Sequence, residues 1–243
     1  MPEKMVIPKI NLHVHSTYSD GRNTIEQIVK KAIDYELKYI AITDHFTNSW
    51  KAKIIPNLDS NVKIDNYLED ISEQQHYLKQ KNTNLRLLKG IEIDISSSEN
   101  YILNLIDPYK FDILLFEYLE NPEGIAFIKN VILNWNKLYK SEKKFPILGL
   151  AHFDPSFFIY GSLNILISFL KEFNIYFEFN SSYPQYYSVK FRDFFVELGR
   201  NNIMVAIGCD SHNLVNLNNI KELVSTIRNY GLINNLFSLI NKL

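Results

Sequence analysis

The sequence predicts an α/β fold in which parallel strands form one closed or nearly closed barrel. Seven short apolar runs recur along the chain, and longer amphipathic stretches with helical spacing separate most of them. Strands that alternate with helices indicate parallel pairing, and a length of 243 residues is ordinary for a single barrel. No shift in composition divides the chain, so we expect one domain over residues 1–243.

The predicted strands are short, mostly apolar runs. They cover residues 5–14, 38–45, 85–95, 111–119, 145–153, 175–182 and 203–212. Predicted helices cover 24–37, 66–81, 124–140, 161–173 and 185–201, and two further helical segments follow residue 212. Thr24 lies three residues before Gln27, which indicates a capping box at the start of the first helix. Residues 48–65 form a long connection, which is predicted to be an elaborated loop over one end of the barrel.

The composition limits the classes of function that fit this chain. Hydrophobic residues make up 46% of the chain and charged residues 22%, which provides for a sizeable core. The formal net charge of −1 argues against broad electrostatic capture of nucleic acid, although it is compatible with a local basic patch. The single cysteine, Cys209, cannot form an internal disulfide, and no apolar run approaches the ~20 residues of a membrane span. The first ten residues lack the apolar centre of a secretory signal, so we expect a cytoplasmic protein without a membrane partner.

Five of the six histidines lie at the carboxyl end of a predicted strand. They are His13, His15, His45, His152 and His212, whereas His76 lies in a predicted helix, on a face expected to be exposed. Carboxylates occur at the same places, namely Asp20, Glu92, Asp94, Glu178 and Asp210. The carboxyl ends of the strands in a parallel α/β barrel converge on one face, so we expect these distant residues to meet there.

The polar residues also occur in pairs two positions apart, beginning with the stretch NLHVHSTYSDG over residues 11–21. The pairs are His13/His15, Glu92/Asp94, His152/Asp154, Glu178/Asn180 and Asp210/His212. Residues i and i+2 of a strand point the same way, so each pair can direct two side chains at one point. Imidazole nitrogens together with carboxylate oxygens suit zinc, manganese or iron. One such pair carries little weight by itself, but the whole set predicts a metal site.

Six motifs, in this order, resemble those of the PHP superfamily, which is named for polymerase and histidinol phosphatase. They are HVHSTYSDG, ITDH, GIEID, LAHFDP, FEFN and GCDSH, and they extend from Asn11 to about His212. The resemblance implies a distorted (β/α)7 TIM-like barrel, in agreement with the seven strands counted independently. It also implies a cluster of two or three divalent metal ions (Zn, Mn or Fe) at the strand ends and, commonly, phosphoester hydrolysis.

The resemblance implies a ligand set when its motifs are matched position by position. His13, His15 and Asp210 would bind one ion, Glu92 would bridge it to a second that His152 also binds, and Asp20, His45 and His212 would hold a third. Many members carry a further histidine for the second ion where this chain has Leu119, which cannot coordinate metal. Glu117 shares the strand face of Leu119 and is expected to substitute for the histidine; a weakened or empty second position is the alternative.

The other polar residues near the strand ends are expected to support the ligands. Asp44 should face away from the site, and Asp94 is expected to form hydrogen bonds at the rim. Glu178 and Asn180 are expected to support the site, with Asn180 also a candidate substrate contact. Cys209 should point away from the site as a small packed residue.

The implied reaction is hydrolysis of a phosphoester by a metal-bound hydroxide near Glu92. The predicted catalytic residues are His13, Glu92, Asp210 and His212, and the predicted substrate contacts are Arg22, Asn180, Lys190 and Arg192. A small phosphomonoester or nucleotide-like molecule is the expected substrate. Asp20 stands where histidinol phosphatases tend to carry histidine, which makes histidinol phosphate a less favoured substrate.

Two other functions fit these residues. A non-catalytic, metal-stabilised interaction domain is compatible with the absence of the strand-four histidine, and amidohydrolase-like barrels also place histidines at strand ends. The sequence contains no polymerase module, P-loop or GxGxxG motif, so we expect neither a tethered editing domain nor a nucleotide cofactor. The oligomeric state is left open.

Overall fold

Short parallel strands form the centre of the molecule in the computed structural model, which describes residues 6–139, 144–158 and 163–243. Within those ranges the strands are β1 (Ile10–Asn11), β2 (Tyr39–Ile42), β3 (His45–Phe46), β4 (Arg86–Asp94), β5 (Ile113–Glu117), β6 (Ile147–Leu150), β7 (Tyr176–Asn180) and β8 (Val205–Gly208). Their order in the sheet is β1-β2-β4-β5-β6-β7-β8, and β3 pairs with β4. The order follows the chain, as in a barrel built from successive strand–helix units.

The sheet has the seven strand positions and the nearly closed barrel that the sequence predicts. Strands β2 and β3 both pair in parallel with β4, at Tyr39↔Arg86 and at His45↔Glu92, so together they form one interrupted strand. Beyond β1, the Leu12 backbone N donates to the Ile207 carbonyl at 2.9 Å. This bond joins the first strand position to the last, and the α/β barrel prediction is confirmed.

Helices surround the sheet and connect successive strands. They are α1 (Ile25–Asp34), α2 (Asn61–Gln80), α3 (Glu99–Leu105), α4 (Pro122–Leu138), α5 (Leu163–Glu172), α6 (Arg192–Arg200), α7 (Lys221–Asn229) and α8 (Ile233–Ile240). The predicted capping box of α1 is confirmed, since Thr24 Oγ1 accepts from Gln27 N at 3.3 Å and Gln27 Oε1 accepts from Thr24 N at 3.1 Å. None of the helices within the described ranges is both long and apolar enough to cross a membrane.

Several element boundaries differ from the sequence-based prediction. The first strand is two residues long within the described part of the predicted range 5–14, and beyond it the pairing continues only as an isolated bridge, Val14↔Ser211. The predicted loop 48–65 contains a 3₁₀ turn, Trp50–Lys53, and the first turn of α2, whose N-cap is Ser60. Helix α3 was not predicted, and the predicted helix 185–201 begins as two 3₁₀ turns before α6. Residues 5, 140 and 161–162 of the predicted elements lie outside the described ranges.

The core lies between the outer face of the sheet and the helices, and a second apolar layer fills the barrel. The buried Trp135 of α4 stacks on Phe116 of β5 with ring centroids 6.3 Å apart. Phe177 of β7 contacts Phe194 of α6 at 5.6 Å between centroids. Strand residues alternate between faces, so Glu117, next to Phe116, points into the barrel. The same alternation directs the polar residues of the other strands to the inner face.

We expect Gly208→Ala to destabilise the protein, because a Cβ at this position would overlap the Glu178 carboxylate and approach His13 Cβ at 2.8 Å. Both neighbours are fully buried, so neither can move into solvent, and overpacking of this kind costs about 1–3 kcal/mol. Gly199→Ala in α6 is the matched control, since its Cβ would meet only the flexible end of Leu232 at 3.2 Å. Urea unfolding measures both variants, and equal stability of Gly208→Ala and wild type would contradict the expectation.

Candidate metal centre

The structure brings all nine predicted metal ligands together at the carboxyl end of the barrel. They are His13, His15, Asp20, His45, Glu92, Glu117, His152, Asp210 and His212. They form four overlapping groups, and within each group the candidate ligand atoms lie within 4.8 Å of one another. The groups are His15/Asp20/His45/His212, His13/His152/Asp210, His13/His15/Glu92 and His45/Glu92/Glu117. Ligands from six strand ends therefore meet in one place, as the convergence argument predicts.

The two histidines of the opening stretch form the floor of the site. His13 Nε2 lies 3.0 Å from His15 Nε2 and 3.1 Å from Glu92 Oε1. His15 Nε2 in turn lies 3.0 Å from Asp210 Oδ1. The group His13/His15/Glu92 offers two imidazole nitrogens and one carboxylate oxygen, which are donors that tetrahedral zinc and similar ions prefer.

A second group lies nearer the surface, around Asp20. Its Oδ1 lies 3.1 Å from His212 Nε2, 3.6 Å from His45 Nε2 and 3.8 Å from His15 Nδ1. Asp20 and His212 are partly exposed, whereas His15 and His45 are buried. This group therefore connects the floor of the site to solvent.

Glu92 occupies the centre of the site and is completely buried. Its Oε1 lies 3.1 Å from both His13 Nε2 and His152 Nε2, and its Oε2 lies 2.8 Å from His45 Nδ1. Even so, Oε2 accepts no hydrogen bond from any described residue. A buried carboxylate oxygen that accepts no hydrogen bond destabilises the folded protein unless a cation binds it. The donor chemistry and this oxygen together fit a bound divalent ion.

Glu178 contacts the candidate ligands His13 and His152 on the side away from the centre of the site. Its Oε1 lies 2.9 Å from His13 Nδ1, and its Oε2 accepts from the His152 backbone N at 2.8 Å and from Asn180 Nδ2 at 3.0 Å. A carboxylate on Nδ1 fixes the orientation of the ring, so that Nε2 points to the centre of the site. Glu178 and Asn180 thus contact the ligands in the supporting manner that the sequence predicts.

Asp44 and Asp94 fix the loops that carry the ligands. Asp44 accepts from Ser16 N at 2.8 Å and Ser16 Oγ at 2.6 Å, which holds the turn after His15. Asp94 accepts from Thr47 Oγ1 at 2.7 Å, on the segment after β3. Neither carboxylate belongs to a ligand group among the described residues.

Two ligands depend on backbone conformations that most side chains avoid. His152 has φ of +29° and Asp210 has φ of +48°. Histidine and aspartate are among the residues that reach this region most readily, but the conformation still carries strain. Because the chain turns sharply at these strand ends, both side chains point to the centre of the site.

Charge in the site is balanced between carboxylates and imidazoles. Burial opposes a charge on His13, but Glu178, Glu92 and Asp210 outweigh it and raise its pKa well above the ordinary value. Burial likewise opposes a charge on His45, yet Glu92 and Glu117 raise its pKa to about 10. His15 differs, because burial and the neighbouring His45 lower its pKa to about 3. Protons on His13 and His45 therefore supply the positive charge when no metal does.

Lys51 is a member of the site that the sequence analysis missed. Its Nζ lies 2.9 Å from both carboxylate oxygens of Glu117 and 3.2 Å from His45 Nδ1. Burial opposes the charge, but Glu117 and Glu92 raise its pKa above the ordinary value. The residue belongs to the predicted loop 48–65, where no periodic pattern fixes the direction of a side chain.

A cavity of about 320 Å³ opens above the ligands. Besides ligand residues, Tyr118, Phe157, Tyr183 and Tyr186 line it. The rings of Tyr183 and Tyr186 are parallel within 6°, with centroids 5.2 Å apart. The cavity therefore has a charged floor and an aromatic wall.

The four predicted substrate contacts do not line this cavity. Arg22 is exposed, and the cationic groups of Lys190 and Arg192 lie over the rings of Phe191 and Tyr230. Asn180 is buried against Glu178. Their role in substrate binding stays a prediction. Among the described residues that line the cavity, Lys51 is the only lysine or arginine.

We expect metal-free protein to lose stability as the pH rises. Because the pKa of His45 is about 10, against 6.5 for an ordinary histidine, its stabilising contribution is fully present below about pH 6.5 and is lost towards pH 10. The raised pKa of His13 acts in the same direction, whereas His15 is neutral in both states above pH 7. Each raised group changes the free energy of unfolding by up to about 1.4 kcal/mol per pH unit.

Melting curves in EDTA between pH 7 and pH 9 measure this loss, at about 2–4 °C per kcal/mol for a protein of this size. Bound Zn²⁺ should flatten the dependence, because metal takes the place of the protons. A melting temperature in EDTA that stays constant over the range would refute the charge balance described here.

One curated protein matches part of this chain in sequence. The curated DNA polymerase/3'-5' exonuclease PolX of Bacillus subtilis (strain 168) is 34% identical to this chain over 87 residues. The match covers 36% of this chain and 14% of the length of PolX.

Three solved structures resemble the whole fold at low identity. Histidinol phosphate phosphatase from Lactococcus lactis, complexed with zinc, L-histidinol and phosphate, has a TM-score of 0.63 and 16% identity, covering 93% of this chain and 95% of its own. A structure reported for YwqE from Bacillus subtilis and CpsB from Streptococcus pneumoniae, metal-dependent tyrosine phosphatases, has a TM-score of 0.60 and 16% identity, with coverage of 96% and 91%. A chain of archaeal ribonuclease P has a TM-score of 0.54 and 12% identity, with coverage of 95% and 90%.

The family assignment comes from a match that extends over most of the chain. A model of the PHP domain matches residues 11–242, which include all nine candidate ligands and every described strand residue except Ile10 of β1. The chain belongs to the PHP domain family.

Proposed function

We propose that this protein is a metal-dependent phosphoesterase that hydrolyses a small phosphorylated molecule at the carboxyl end of its barrel. The observation that carries the proposal is the overlap of four ligand groups, which share His13, His15, His45 and Glu92. Such a site binds ions close to one another, as hydrolysis of phosphoesters by multinuclear centres requires. The described phosphatase activity of two proteins with the same fold supports the reaction class.

The donor set favours two or three ions of Zn, Mn or Fe over calcium or magnesium, because imidazole nitrogens dominate it. Ions held there would lower the pKa of water and neutralise the phosphoryl oxygens in the transition state. His13, Glu92 and Asp210 would hold the ions at the floor, and His212 would hold one beside the cavity. Glu178 would keep His13 in the binding tautomer.

The cavity supports a small substrate. Its volume of about 320 Å³ is at the lower end of the range for small-molecule sites. The phosphoryl group would lie on the ligand residues, and the rest of the molecule would lie along the Tyr183–Tyr186 wall. A phosphomonoester with a flat leaving group, such as a nucleotide or an aryl phosphate, fits best into a cavity with a charged floor and an aromatic wall.

We expect His13→Ala and Asp210→Asn to lower phosphatase activity at least about 100-fold, since loss of a ligand weakens metal binding more than loss of its supporting contact does. Turnover of p-nitrophenyl phosphate and of a phosphoester panel with added Mn²⁺ measures the effect. His76→Ala is the matched control, because His76 is exposed on α2 and contacts Gln80.

Three results would reject the proposal. Unchanged turnover in His13→Ala would place the reaction elsewhere. Full metal occupancy without release of phosphate from any compound would favour an interaction domain, and cleavage of C–N or carboxylic ester bonds alone would favour an amidohydrolase-like enzyme.

We expect Tyr186→Ala to weaken the enzyme selectively against flat substrates. An aromatic stack contributes about 0.5–1.5 kcal/mol, so kcat/KM for a nucleoside monophosphate should fall about 2- to 10-fold. Glycerol phosphate, which has no ring, serves as the control substrate and should be hydrolysed at the wild-type rate. An equal loss for both substrates would show that Tyr186 shapes the site without stacking on the substrate.

A further inference from the structure

Lys51 brings a cationic side chain into the metal centre from outside the strands. The residue is 9% exposed, and its Nζ contacts Glu117 Oε1 and Oε2 at 2.9 Å and His45 Nδ1 at 3.2 Å. The ring of Tyr118 covers the ammonium, with its centroid 4.9 Å from Nζ. Lysine is almost never buried to this extent without a partner, so the ion pair with Glu117 holds the ammonium in the site.

The segment that carries Lys51 is itself fixed to the barrel. Thr47 Oγ1 and Ser49 Oγ both donate to Asp94 Oδ2, at 2.7 Å and 2.5 Å. Ser49 then caps the 3₁₀ turn Trp50–Lys53 by accepting from the Lys51 backbone N at 3.3 Å. Asp94 is the last residue of β4, so the turn is bound to the strand that also carries the central carboxylate of the site. The position of the ammonium is therefore fixed by hydrogen bonds between its turn and the barrel.

A metal ion and this ammonium would compete for one corner of the site. The group His45/Glu92/Glu117 could ligate an ion at distances of about 2.0–2.2 Å. The Lys51 ammonium lies about 3 Å from donor atoms of two of these residues, which is the space that the ion would need. Two cations so close together repel each other strongly where water is excluded. Leu119, which also lines the cavity, offers no further donor to favour the ion.

We propose that the ammonium of Lys51 fills this corner in place of a metal ion, so that the chain binds no more than two divalent ions. Glu117 is then the counter-ion of Lys51 and not a metal ligand, which departs from the sequence-based expectation. The fixed ammonium faces the cavity and supplies a permanent positive charge for the phosphoryl group. The inference rests on the metal-binding part of the proposed function and not on the reaction.

The count of bound ions tests the proposal without any measurement of activity. Wild type and Lys51→Ala are equilibrated with Zn²⁺, desalted, and analysed by elemental mass spectrometry, with circular dichroism as the check of folding. Lys51→Ala should bind one more ion per chain than wild type, because removal of the ammonium frees the corner. Lys53→Ala is the matched control, since it removes an exposed lysine from the same turn and should leave the count unchanged.

A second variant keeps the proposal testable if Lys51→Ala does not fold. Glu117→Gln is nearly isosteric and removes the carboxylate, so it should bind as many ions as wild type if Glu117 is not a ligand. The double variant Lys51→Ala/Glu117→Gln should lose the extra ion of Lys51→Ala.

An equal ion count in folded Lys51→Ala and wild type would overturn the inference, and so would the loss of an ion in Glu117→Gln. Wild type that binds no ion would overturn both the inference and the proposed function. Ions bound as expected, with no turnover of any phosphoester, would overturn only the proposed reaction.

Discussion

Buried negative charge at one end of the barrel is the constraint on which the rest of this structure depends. Glu92, Glu117 and Glu178 are each no more than 1% exposed, and Asp210 lies beside them. Carboxylates removed from water are destabilising unless cations or hydrogen-bond donors compensate them. The imidazoles, one lysine and the backbone N–H groups of neighbouring strands provide that compensation. Because each donor must lie within about 3 Å of its acceptor, the strand ends can converge in only a few ways.

The buried carboxylates form an inner and an outer layer, and the groups that compensate their charge differ between the two layers. Among the described residues, the inner carboxylate Glu92 lies against three imidazoles, so protons on these rings or bound metal ions would balance its charge. Asp44, Asp94 and Glu178 in the outer layer accept hydrogen bonds from hydroxyl and backbone groups that never exchange for metal.

The strand positions could be predicted from the sequence because they follow from simple periodicity. The candidate ligands came from the paired polar residues together with the family motifs, and their binding of metal stays a prediction. Residues i and i+2 at strand ends must share a face, so the HxH and DxH pairs fixed their own direction. Lys51 was not predicted as a site residue because it lies in an irregular connection. The position of this connection depends on the hydrogen bonds of Thr47 and Ser49 to Asp94. Lys190 and Arg192 show the same limit, since closeness in sequence to a strand end did not bring them to the cavity.

Lys51 and the aromatic wall of Tyr183 and Tyr186 make the sides of the cavity chemically different from one another. Lys51 lies against Glu117 on one side of the cavity, and His212 lies against Asp20 on the other, so the cationic side chains Lys51 and His212 can flank a phosphoryl group on two sides. An ammonium differs from a divalent ion in carrying half the charge and in leaving the acidity of water nearly unchanged. It can therefore bind a phosphoryl oxygen but cannot generate the nucleophile. In the proposed enzyme, ions held by the other ligand groups would therefore have to supply the nucleophile, and Lys51 would contribute positive charge alone.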